Sequence, residues 1–172
     1  MRRNTSAAAV VAAVLVLAAA TACAVDGEDN TNRLRGPVWV KDAGAPEAAG
    51  FMRVQVPGGA TEVKGAVQDG FQDSVYLLSF AAPTVDAETF TADLRPEGGL
   101  RAITPVSSAD SVNAELWAHV GLPDPATQER VREGSVCPPC IGDGRRSKVQ
   151  GIDIDVQDLG GGRSRVYLRA TS

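Results

Sequence analysis

From Lys148 to Asp158, and again from Arg163 to Thr171, apolar and polar residues alternate, with Ile152, Ile154 and Val156 on one side of the first run and Val166, Leu168 and Ala170 on one side of the second. A period of two is the pattern of half-buried strands, and Gly160-Gly161-Gly162 supplies a tight hairpin turn between them. Both apolar triplets reach one core only if paired residue numbers add to an even sum, because a slip of one residue turns a whole strand over. The outer face then sets Asp153 and Asp155 near Arg165, Tyr167 and Arg169. Opposite charges across a hairpin contribute about 0.2–1 kcal/mol each, which helps choose a register but does not hold a fold. That face reads as solvated, so the two aspartates look like surface residues rather than paired glycosidase carboxylates.

A second hairpin is predicted earlier. Thr61–Gln68 places Val63 and Val67 on one side and Glu62 and Lys64 on the other; after the Asp69-Gly70 turn signal, Ser74–Phe80 aligns Tyr76, Leu78 and Phe80. The run Val75-Tyr76-Leu77-Leu78 is apolar enough for a central strand. Phe51–Val56 reads as a short edge strand ended by Pro57-Gly58-Gly59. A helix follows the second hairpin, capped by Thr84 or Asp86, with Phe90 and Leu94 on one face and Pro96 and Gly98-Gly99 to stop it. Another spans about Ser111 to Val120, where Val112, Leu116 and Val120 repeat every four residues and Gly121 and Pro123 close the end. Residues 125–133 read as polar turns. The expected architecture is α+β: a mainly antiparallel sheet of about four strands in two hairpins, with two helices packed on one face.

At the other end of the chain, Arg2 and Arg3 precede an Ala-, Val- and Leu-rich run from Ala7 to Ala22, and the next charge is Asp26. A positive start, a short apolar stretch and small residues at its end are the parts of a secretory signal. The sequence Leu17-Ala18-Ala19-Ala20-Thr21-Ala22-Cys23 resembles the lipobox of bacterial lipoproteins, with Ala20 where that family usually has Leu. The resemblance covers the leader only. It implies cleavage before Cys23, a diacylglycerol in thioether linkage on Cys23, and a place in the cell membrane facing outside the cytoplasm. Two other leaders fit: an uncleaved anchor over Asn4–Val25, or a plain signal cut near Ala22 that would secrete the domain. The organisation expected is a signal peptide over 1–22, a lipidated N-terminus and flexible tether over 23–50, and one domain over 51–172. Between Gly59 and Leu94 the strand, apolar strand and helix are also similar to modules of uncharacterised lipoproteins and secreted proteins of actinobacteria, which implies no activity.

Cleavage removes two arginines, so the net charge of −4 becomes −6. An acidic chain lacks the surplus of Lys and Arg that duplex binding needs, so nucleic acid is excluded as a partner. It has no charge-based attraction to anionic lipid either, and attachment would rest on acyl chains, of which two bind stably. The partners expected are the membrane, through the lipid, and an envelope protein or polymer.

Chemistry is sparse. Cys137-Pro138-Pro139-Cys140 holds the only cysteines besides Cys23. Outside the cytoplasm a disulfide is the expected state, fixing the loop before the last hairpin. The alternative is a thiol–disulfide oxidoreductase or redox sensor, with Cys137 as nucleophile, Cys140 as resolving thiol and Arg145, Arg146 and Lys148 nearby to favour the thiolate. A zinc site would need two more ligands than the pair provides, and His119 is the single histidine. No metal site and no cofactor are therefore expected. His119 sits at the end of a predicted helix, where it serves the helix terminus more readily than catalysis. No Gly-x-Ser-x-Gly elbow, P-loop, Gly-x-Gly-x-x-Gly or HExxH occurs, and no catalytic residue is assigned. The basic cluster Arg145-Arg146-Lys148 reads as a solvated loop, with an anionic envelope polymer or an acidic partner loop as its other use.

Overall fold

The computed structural model describes residues 36–137, 140 and 143–172; the leader and Cys23 lie outside them. Among these residues seven strands run β1 Val38–Gly44, β2 Thr61–Asp69, β3 Ser74–Pro83, β4 Arg101–Ala102, β5 Val131–Val136, β6 Gly151–Gly160 and β7 Arg163–Thr171. They form one sheet in the order β1-β2-β3-β7-β6-β5-β4, and every neighbouring pair is antiparallel. Three short α-helices accompany it among the described residues: α1 Ala45–Met52, α2 Thr84–Leu94 and α3 Ala114–His119.

The two predicted hairpins form its centre. In β6–β7, Ile152 faces Ala170, Ile154 faces Leu168 and Val156 faces Val166, an even-sum register. Gly161 and Gly162 turn the corner at φ 60° and 74°, the positive values that a two-residue hairpin turn of this twist requires. β3 lies third in the sheet, between β2 and β7, and is buried from Leu77 to Ala82.

The expected four strands with two helices on one face is wrong in three respects. The sheet first extends beyond β2: β1 and α1 arise within residues 38–52, of which 38–50, with their Pro, Ala, Gly and charged residues, read as tether. Pro46 starts α1 with its preset φ, and the Glu47 carboxylate accepts a 2.7 Å hydrogen bond from the Gly44 N–H, which holds that carboxyl below its ordinary pKa. Ala48 and Met52 are then wholly buried on β2 and β3. Gly65 is what lets α1 begin so close to the sheet, since a Cβ there would stand 2.5 Å from Ala45 Cα and 2.8 Å from the Leu77 carbonyl oxygen. Phe51 is the end of α1 rather than an edge strand, and it stacks on Tyr76 at 3.7 Å.

The sheet also extends beyond β6. β5 includes only two buried apolar residues, Val131 and Val136, at its ends, and β4 is two residues long, so neither carries a visible period. The helices, finally, do not share a face. α1 and α2 cover Leu78, Phe80, Ile152, Ile154, Val166 and Leu168, whereas α3 crosses the opposite face and buries Trp117 with Leu77, Leu122 and Tyr167. α3 is also shorter than expected. Val112 is 91% exposed, and Asn113 precedes the first helical residue.

One strand departs from its alternation. The β2–β3 register shifts between Thr61 and Lys64, with Glu62 at φ 50°, and this bulge leaves Val63 exposed while Val67 stays inside. The displaced Glu62 carboxylate accepts a hydrogen bond from Arg165 on β7.

Candidate functional site

Residues 103–128 leave the sheet after β4, cross the face opposite α1 and α2, and return to β5. Backbone bonds from Ile103 N–H to the Val131 carbonyl (3.1 Å) and from Val106 N–H to the Ala126 carbonyl (2.9 Å) hold the excursion in place, as does Lys64 Nζ donating to the Gly121 carbonyl at 3.0 Å. Trp117 anchors it, edge-on to Tyr167 with ring centroids 5.1 Å apart.

Between this excursion and strands β4 to β7 lies a cleft of about 370 Å³, lined among others by Asp124, Glu133, Asp153, Asp155 and Trp117. Strand geometry places three of the carboxylates: Asp155 stands directly opposite Glu133 on β5 and two residues along the same face from Asp153. Arg169, opposite Asp153, donates to its carboxylate. Asp124 is buried and satisfied, accepting hydrogen bonds from the Ser111 hydroxyl and from the N–H groups of Asn113 (3.3 Å) and Ala126 (3.1 Å).

The Asp155 carboxyl has no hydrogen-bond partner among the described residues. Burial, followed by the charges of Glu133, Asp153 and Asp124, pushes its carboxyl up to about 7; Arg169 opposes the shift without cancelling it. The expectation of a solvated outer face therefore fails here. Strand alternation places Asp155 on the correct face but carries no information about the distant 103–128 segment that covers that face. The clue in the sequence was Tyr167 among the outward residues, an aromatic in need of a partner, together with the compact apolar set of Leu116, Trp117 and Leu122.

Cys137 and Cys140 are joined, with their sulfurs 2.07 Å apart, at the end of β5. Cys140 is buried and Cys137 half-buried. Pro138 and Pro139 lie outside the described residues. Arg145 and Arg146 both bond Asp143, and their guanidinium groups hold that carboxyl below its ordinary pKa. Neither cysteine is among the residues lining the acidic cleft. His119 is separate from both: its ring stacks on Trp39 of β1 at 3.7 Å, nearly parallel. Among the described residues no group of three or more His, Cys, Asp or Glu is arranged to hold a metal ion, and no helix is long and apolar enough to cross a membrane.

A scan against protein-family models finds no match for the chain, and searches of curated proteins and of solved structures find none either.

Proposed function

We propose that the mature chain is a lipid-tethered, extracytoplasmic binding module of the cell envelope. Its acidic cleft takes a cationic group of an envelope protein or polymer, and it catalyses no reaction. The observation that carries the binding role is the cleft: five carboxylates, of Glu97, Asp124, Glu133, Asp153 and Asp155, line it against the two guanidiniums of Arg101 and Arg169, and Asp153 already engages Arg169. A recess with convergent polar groups and a strongly shifted carboxyl is where a ligand is expected in a domain without a catalytic motif. The bonded cysteines support the location, because disulfides persist outside the reducing cytoplasm. The leader ending at Cys23 supports the tether.

Two measurements test these parts separately. Cells expressing the chain should incorporate labelled palmitate into it, and Cys23→Ala should abolish the label; undiminished labelling removes the anchor. An oligolysine probe should bind the full chain more tightly at pH 8 than at pH 6, as Asp155 loses its proton. Glu133→Gln, which removes one exposed carboxylate from the rim, should weaken that binding about tenfold, the equivalent of one charge-assisted contact. Binding that ignores both pH and Glu133 would rule out the cleft.

A further inference from the structure

A second recess, of opposite character, lies on the face of the sheet covered by α1 and α2. Arg53 ends α1 in the left-handed conformation at φ 55° and directs the chain into the loop Val54–Gly58. That loop, the last turn of α2 from Phe90 to Leu94, and Arg145 and Arg146 enclose about 370 Å³. Three guanidiniums line it, and Asp93 is the one carboxylate among its lining residues.

The arginines differ in what they are free to do. Arg146 is fixed, its side chain 7% exposed, with Nε donating to the Met52 carbonyl at the end of α1 (2.9 Å) and Nη1 to Asp143 (3.0 Å). Arg145 is 74% exposed and bonds the same Asp143 through Nε and Nη2, both at 3.2 Å. One carboxylate thus answers two guanidiniums. Arg53 is exposed and forms no ion pair among the described residues, and the N–H groups of Gln55, Val56 and Gly58 in the adjoining loop have no acceptor among them. Three guanidiniums and loop residues with unpaired N–H groups line this recess in a chain whose net charge is −4.

We propose that this recess binds an oxyanion group, a phosphate or a carboxylate, through Arg53 and Arg145, with Arg146 fixed in its wall. A guanidinium offers paired donors whose spacing matches two oxygens of either group, and the rigid Arg146 keeps the site open by tying the 143–146 turn to α1. The site is independent of the acidic cleft, which lies across the sheet, and of how the chain is tethered.

Amide and arginine side-chain NMR signals of the full chain, titrated separately with sodium phosphate, sodium acetate and sodium chloride at constant ionic strength, test the proposal. Phosphate or acetate should shift Gln55, Val56 and the Arg53 and Arg145 Nε–H signals saturably, while chloride does not; whichever saturates at the lower concentration identifies the ligand class. Arg53→Gln and Arg145→Ala, both at exposed positions, should each weaken binding about tenfold. Equal shifts with chloride, no saturation with either oxyanion, or unchanged affinity in both variants would each overturn it.

Discussion

Trp117→Ala should destabilise the domain by about 3–5 kcal/mol, the cost of removing a large buried aromatic from a packed site, and lower Tm by roughly 10–20 °C. Trp117 is 2% exposed and is the largest side chain in the smaller apolar cluster, where it meets Leu77, Leu122 and the edge of Tyr167. That cluster is what fastens residues 103–128 to the sheet. The larger cluster beneath α1 and α2 shares none of its side chains, so the variant should retain far-ultraviolet strand signal while hydrogen exchange accelerates through 103–128 and oligolysine binding falls. A loss below about 1 kcal/mol, or exchange that accelerates evenly over both faces, would show that the excursion is held by its polar contacts instead.

Asp155→Asn has the opposite sign. A carboxyl at about 7 in the folded state and near 3.9 in the unfolded chain binds its proton more tightly when folded. Its unfavourable contribution is therefore absent below about pH 4, grows as pH rises between the two values, and is complete above pH 7. The neutral amide removes it. The variant should gain about 2 kcal/mol and several degrees of Tm at pH 8, half the return of a wholly buried shift because the side chain keeps some contact with water, and should match the parent near pH 4. Thermal melts at the two pH values decide the matter: equal Tm values at pH 8, or a gain confined to acid, would mean that Asp155 is hydrated like an ordinary surface aspartate.

The elements that were legible in the sequence are those whose burial repeats with a regular period. β6 and β7 alternate cleanly, and the even sum that their apolar faces demand is the one observed; the apolar run Val75–Leu78 marked β3, which lies between β2 and β7. α2 runs from Thr84 as its spacing indicated, although Thr84 is its first helical residue and bonds the hairpin turn through its N–H to the Gly162 carbonyl at 2.8 Å. The missed elements lack such a period. β4 is too short to have one, β5 hides a Gly and two charged residues between Val131 and Val136, and α1 is recognised only once Ala48 and Met52 find the sheet beneath them. The acidic cleft was half legible: Asp153, Asp155 and Arg169 were placed together on one face, but Glu133 comes from a segment read as polar turns and Asp124 from the connection just before it. Their convergence is tertiary, and no local pattern encodes it.

The two rims of the sheet are finished differently. On one side the last strand is two residues long and offers little backbone for another chain to join. On the other, β1 loses register between Trp39 and Gly44, and Asp42 within it adopts φ 64°, beside the exposed Lys41. A neighbour would have to match that kink and accept that ammonium group to continue the hydrogen-bond ladder. At high protein concentration, where encounters are frequent, these blunted borders let many copies stand side by side without knitting into a fibre.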